Sequence, residues 1–322
     1  MDRQMSRFTL NQRGWRIADR MEAQADRLRI VSKIIGGGAR LIDAGIAVTG
    51  GLGAGIAISE LCMGGLGNVS FTPVPIDGEN WPGVTVWTDH PATACLASQY
   101  AGWTIQVDKY FAMGSGPLRA HARVETELFA KLGYAEEAPH GVLMLESRKP
   151  PTDEVVEWVA KKARLSPPQL TFVVAPTASL AGGVQIVARI LEVGLHKMDT
   201  LGFDVRKIVS GTGTAPMPPV SKDDLRGIGR TNDCILYGGQ AHYTVQAGDE
   251  ELAELAPKVP ASASRDYGTP FYEVFQRYNG NFYQVDPLLF SPAMISLTSA
   301  TTGRTFTAGK LNPKVLKKSL FE

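Results

Sequence analysis

The polar residues with the most chemical promise stand on one apolar stretch, ASLAGGVQIVARILEVGLHK, residues 178–197. Between Leu180 and Leu195 its only polar side chains are Gln185, Arg189 and Glu192. Spacings of four and three put them on one narrow stripe at about 100° per residue, and His196 extends it four residues on. A helix so apolar on its other sides is usually buried. A charge there needs compensation, because desolvating a lone one costs several kcal/mol. Facing a cleft, a carboxylate next to a guanidinium is a tuned base, its proton affinity set by burial and by the neighbouring cation. The same residues also fit a surface ion pair on one exposed edge, worth about 0.2–0.5 kcal/mol and no chemistry. Spacing alone leaves both readings open.

Other motifs fail. The Gly50–Gly55 cluster resembles a dinucleotide-binding turn, but G-x-G-x-x-G requires a glycine three after Gly53, where Ile56 stands. A closely packed helix explains those glycines as well. Neither G-x-x-x-x-G-K-[ST] nor G-x-S-x-G occurs. His90, His121, His140, His196 and His242 show no H-x-H or H-x-x-x-H spacing, so a histidine-based metal site is not indicated. Cys62, Cys95 and Cys234 are odd in number and far apart, which fits a reducing compartment better than a disulfide framework.

The elements that must position the stripe follow from periodicity. Residues 11–30 read as an amphipathic helix, with strands around 31–35 and 40–49 joined by Gly36-Gly37-Gly38. Further strands are predicted at 69–75, 84–88 and 105–112, and a helix at 91–101. From Val142 the chain alternates: strand VLMLES, helix DEVVEWVAKKA, strand LTFVVAP, one long helix over 178–201, strand VRKIVSG, short helix KDDLRGIG, an extended run CILYGGQAHYTVQA, and helix DEELAELAPK. This alternation predicts an α+β (mixed α/β) fold. The 322 residues suit two subdomains, and prolines 139, 150, 151, 167 and 168 place a boundary there: 1–138 and 139–322, with the tail free to return to the first. The 44% hydrophobic and 20% charged content is that of an ordinary globular chain. A net charge of +1 gives no sign of a nucleic-acid partner. The charged N-terminus lacks an apolar signal core, and the longest uncharged stretch, 44–59, is too short and glycine-rich to span a bilayer. No membrane partner and a cytoplasmic location are therefore expected.

Several segments, in order over nearly the whole chain, resemble methenyltetrahydromethanopterin cyclohydrolase: ARLIDAGI (39–46), ACLASQYAGW (94–103), YFAMGSGPLRA (110–120), APTASLAGGVQIVAR (175–189), GTGTAPMPPVSKDDLRGIGRTNDCILYGG (211–239), SASRDYGTPFYEVFQRY (262–278) and DPLLFSPA (286–293). The resemblance implies two α+β subdomains with a ligand pocket between them and a homo-oligomer, a trimer. It also implies a tetrahydromethanopterin carrier as substrate, with no cofactor and no metal. The family's pattern A-R-x-x-E places its catalytic pair on Arg189 and Glu192.

The implied reaction adds water to the cationic N5–CH–N10 bridge of a methenyl carrier. That carbon is already electrophilic, so the chain has to aim a water and accept its proton. Glu192 suits the base; Arg189 is expected to fix its rotamer and help hold the water. Burial would raise the pKa of Glu192 and Arg189 would lower it, and the sequence does not say which wins. Further candidates for gripping the carrier are Gln185 and Ser179 on the same segment, Thr212 and Thr214 in an expected Gly-Thr-Gly-Thr loop, and Arg230, Asn232 and Asp233 for the pterin edge. Ser264, Arg265, Tyr267 and Tyr272 add hydroxyls, a cation and aromatic faces near Phe271. Lys109 and Arg119, flanking the Met113–Pro117 turn, are weaker. Thr-Gly-Thr is equally a plain turn, and Phe-Tyr pairs are equally core. The rival readings are a folate or nucleotide enzyme of other chemistry, and a non-catalytic pterin-binding subunit of a one-carbon assembly.

Overall fold

The computed structural model describes residues 9–281 and 284–322. The first eight residues of the charged N-terminal stretch, and positions 282 and 283 at the start of the tail, lie outside the described residues. Twelve strands are described: β1 Val31–Ile35, β2 Ala39–Asp43, β3 Gly67–Ile76, β4 Glu79–Thr88, β5 Trp103–Val107, β6 Tyr110–Ser115, β7 Gly141–Glu146, β8 Leu170–Ala175, β9 Ile208–Pro216, β10 Gln240–Val245, β11 Met294–Ser299 and β12 Thr305–Gly309. They form two six-stranded sheets, in the orders β1-β2-β8-β7-β6-β5 and β12-β11-β10-β9-β4-β3. The parallel pairs are β2 with β8, β7 with β8, and β10 with β11; the other pairs are antiparallel. The fold is thus α+β, as the alternation predicts.

The first sheet is covered on both faces, which is why β7 and β8 read as unbroken apolar runs. Leu143, Leu145, Phe172 and Val174 meet Val155, Val156 and Val159 of the helix Asp153–Ala163. Val142, Met144 and Val173 on the opposite face meet Ile17 and Met21 of the helix Leu10–Ala23 and Ile58 and Leu61 of the helix Leu52–Cys62. That last helix holds the glycine cluster. Gly55 lets it approach the helix Leu180–Val187, because a Cβ at 55 would strike the Val184 side chain. The second sheet is covered by Ile190, Leu191, Leu195, Ile235 and Leu236 on one face, while Trp87 on the other face is 47% exposed.

Several boundaries differ from the sequence reading. The stretch 105–112 is a hairpin, β5–β6, turning at Asp108 with φ 47°. The predicted helix 91–101 is a π-helix, Ala92–Gln99. The segment CILYG is not extended: it completes a helix, Asp224–Gly238, and the strand begins at Gln240. The long helix over 178–201 is two helices, Leu180–Val187 and Ile190–Thr200, broken at Ala188–Arg189.

Each sheet takes strands from both sides of the expected 138/139 division. β7 and β8 sit in the first sheet, and the β3–β4 hairpin sits in the second. The tail reaches that hairpin: Phe321 packs edge-on against Trp81 at 4.9 Å, and Lys317 pairs with Asp77 at 2.9 Å. No helix among the described residues is long and apolar enough to cross a membrane.

Candidate active site

The stripe lands at the carboxyl ends of parallel strands, where α/β layers commonly place their sites. β8 ends at Ala175 and turns through Pro176 into the helix Leu180–Val187, capped by Ser179, whose Oγ accepts from Gly182 N at 3.0 Å and donates to Pro176 O at 2.7 Å. Gln185 lies on this helix, and Arg189 at the break that follows it. The break is stabilised by Gln99 of the π-helix, which donates Nε2 to Ala188 O at 3.1 Å. π-Turns of this kind often mark functional sites. Glu192 then falls in the first turn of the helix Ile190–Thr200.

Gln185, Arg189 and Glu192 are 1%, 6% and 4% exposed, which removes the reading of a surface ion pair. The partner of Arg189 is not Glu192. Its Nη2 donates to Glu146 Oε1 at 2.8 Å, to Gln185 Oε1 at 3.0 Å and to Ser115 Oγ at 3.2 Å. Gln185 Nε2 donates to the same Glu146 oxygen at 3.1 Å. The buried Nε of Arg189 has no partner among the described residues. No Arg189 nitrogen comes within 4.0 Å of a Glu192 oxygen, so the expectation that Arg189 fixes the Glu192 rotamer by direct pairing does not hold. Arg189 keeps its contact with Gln185 across the break, and both side chains meet Glu146 at the end of β7.

Glu192 accepts no hydrogen bond from any described residue, and burial pushes its pKa up to about 7 against the opposing charges of Arg189 and Arg119, with Glu146 pushing the same way as burial. Arg119 is fully buried. It donates Nε to Glu125 Oε1 at 2.8 Å and Nη1 to Leu96 O and Ser98 O at 3.1 Å each, and its guanidinium stands 5.0 Å from the centre of the Tyr100 ring. Tyr100 stacks on His196 at 4.7 Å, and burial lowers the His196 pKa, which favours a neutral ring. The arrangement therefore holds a carboxylate with proton affinity near neutrality beside two guanidinium groups, the requirement for proton transfer at ordinary pH.

The remaining candidates fall elsewhere. Thr212 and Thr214 are not in a loop but in β9, where the ladder to β4 and β10 uses the backbone. Alternation turns them to the opposite face from Gly211 and Gly213, which pack against Leu191. Asp233 is fully buried, accepting from Phe271 N at 2.9 Å and from Ser319 Oγ at 2.5 Å, and burial pushes its pKa up to about 7. Arg230 donates Nε to Ser319 O at 3.2 Å, and Asn232 donates Nδ2 to Ile228 O at 2.8 Å. Ser264 donates to Asp286 Oδ2 at 2.7 Å, and the exposed Arg265 donates its backbone N to the same oxygen at 3.3 Å. Tyr267 packs on Tyr237 at 5.0 Å, while Tyr272 lies under Arg226 at 5.2 Å. Arg230, Asp233 and Tyr272 tie the helices Asp224–Gly238, Phe271–Arg277 and Pro313–Phe321 together. Ser179 lines a cleft with Thr177, Met217, Ser221 and Thr231; neither Arg189 nor Glu192 lines it. Lys109 is exposed in the β5–β6 turn.

Sequence reasoning missed Glu146 and Ser115. The one available signal for Glu146 was an acidic residue closing a buried apolar run, the place where a strand's carboxyl end opens toward a site.

Comparison with known proteins identifies the family of the chain. The family model described as Cyclohydrolase (MCH) matches residues 9–320. A methenyltetrahydromethanopterin cyclohydrolase of Methanococcoides burtonii is 44% identical over 97% of this chain and 98% of its own length. Those of Methylobacillus flagellatus and Methylobacterium organophilum are 50% and 45% identical, covering 92% and 94% of this chain and 90% and 94% of their own lengths. A match of this extent leaves no segment of either sheet outside it, and the chain belongs to the methenyltetrahydromethanopterin cyclohydrolase family.

Proposed function

We propose that this protein reversibly hydrolyses 5,10-methenyltetrahydromethanopterin to the 5-formyl form in one-carbon metabolism, with Glu192 as the general base. Water adds to the cationic bridge carbon as Glu192 takes its proton. The resulting hydroxyl then closes to a carbonyl, the C–N10 bond breaks, and its electron pair stays on N10, which is protonated. One proton is released overall, because one hydrogen of the water ends on N10. The observation that carries this reading is the Glu192 carboxyl itself: 4% exposed, without a hydrogen bond from any described residue, and with its pKa pushed up to about 7. A carboxylate paired tightly with arginine would be a much weaker base. Arg189 supports the reaction by placing a fixed positive charge where the water's oxygen becomes a hydroxyl, its Nε being a donor free of protein partners among the described residues. Absorbance of the methenyl carrier follows turnover directly. Glu192→Gln is expected to bind the carrier normally and to lose about 10²–10⁴-fold in kcat. Near-normal turnover in that variant would remove Glu192 from the reaction.

A further inference from the structure

We propose that Glu146 is a positioning residue of this site: by occupying the Arg189 guanidinium it keeps that cation off Glu192, and so leaves Glu192 free to accept the proton. The proposal rests on the reading of Glu192 as the base. Residues three apart on a helix are ordinarily neighbours, and Arg and Glu at that spacing ordinarily pair. Here they do not. The Arg189 Nη2 is taken up by Glu146 at 2.8 Å, and Gln185 holds the same Glu146 oxygen at 3.1 Å. Glu146 is itself fixed at the end of β7, in register with Met113 of β6 and Ala175 of β8, so it is placed by the sheet and not by a mobile loop.

The surroundings of Glu192 leave Glu146 as the negative charge that decides this balance. Arg189 and His196 come from its own segment, with His196 favoured neutral by burial. Cys95 and Tyr100 face it from the π-helix and its end, and Tyr243 from β10; burial raises the pKa of all three, keeping them neutral. Tyr243 also donates its hydroxyl to Leu191 O at 2.9 Å. Arg119 adds the second positive charge and is paired with Glu125. Without the Glu146 charge, the Arg189 guanidinium would act on Glu192 with no carboxylate paired to it, and would be free to turn toward it. Glu192 would then ionise more readily and accept a proton less readily.

Glu146→Gln keeps the shape of the side chain and removes the charge. With purified methenyl carrier as substrate, the acid limb of its kcat/KM–pH profile is expected to move down by about one pH unit. Its kcat at pH 8 is expected to fall about threefold to tenfold, with KM changed much less. Glu146→Asp keeps the charge and is expected to retain the wild-type limb, so the comparison stands even where the Gln variant folds poorly. A Glu146→Gln enzyme with an unmoved acid limb, beside an inactive Glu192→Gln enzyme, overturns the role of Glu146 alone. A Glu192→Gln enzyme with normal turnover overturns the base assignment, and this proposal with it.

Discussion

At the scale of single residues, two buried carboxyl groups carry raised pKa values for different ends. The base role proposed for Glu192 requires its ionised form, whose fraction falls as pH drops through about 7. The wild-type kcat/KM is therefore expected to be flat above that pH and to fall about tenfold per unit below it. A profile flat from pH 5 to 8 would contradict this. Asp233 serves the packing instead, accepting from Phe271 N and from Ser319 Oγ. Its folded pKa, pushed up from 3.8 to about 7, lies above the unfolded value. The native state thus holds the proton longer. The stability this lends is fully present below the unfolded pKa and is lost as pH rises to the folded one. Asp233→Asn retains an acceptor for Phe271 and a donor for Ser319 without a charge to desolvate. Urea unfolding at pH 5 and pH 8 is expected to show the Asn variant gaining about 2–3 kcal/mol on wild type across that interval. Parallel pH dependence in the two proteins would remove Asp233 from the account.

At the scale of elements, the break at Ala188–Arg189 divides the stripe between two helices, with Gln185 on the first and Glu192 in the first turn of the second. The Gln99 bond to Ala188 O supports the break, and sheet packing fixes the helix that follows it. Gly194 is the tightest point of that packing: a Cβ there would collide with the Tyr243 hydroxyl, which is donating to Leu191 O. Gly194→Ala is expected to cost about 1–3 kcal/mol by urea denaturation and to lower kcat, because Leu191 adjoins Glu192. Tyr243→Phe, which loses one buried hydrogen bond but not the packing, is expected to cost about 0.5–1.5 kcal/mol. An alanine variant as stable as wild type would show that the helix and β10 can separate freely.

At the scale of the whole molecule, strands exchanged along the chain couple its two ends. The β3–β4 hairpin belongs to the second sheet, and the C-terminal helix packs on it and on the helix Asp224–Gly238. Removing residues 313–322 would deprive Asp233 of Ser319 and expose the cavity left by Leu316 and Leu320. Hydrogen exchange is expected to show the loss first in the second sheet, with β7 and β8 still protected. Uniform loss across both sheets would mean that they unfold as one cooperative unit. A homo-oligomer, a trimer, is our proposal from family membership, and sedimentation of the full chain distinguishes one copy from three.

The sequence by itself determined the elements with strong local signals. The unbroken apolar runs of β7 and β8, the charged helix Asp153–Ala163 and the Gln185–Arg189–Glu192 stripe were all legible, because each is written in spacing along a single segment. It did not show the helix break, the β5–β6 turn or the helical state of CILYG, since each depends on what packs against it. Gln99, 90 residues before Arg189, helps break the helix. Above all, only the tertiary structure decided which carboxylate Arg189 meets. Spacing along the chain offered only Glu192, and sheet register brings the more distant Glu146 to 2.8 Å while Glu192 stays apart. Local spacing sets which face a side chain occupies; long-range pairing sets which charges are left unbalanced on it.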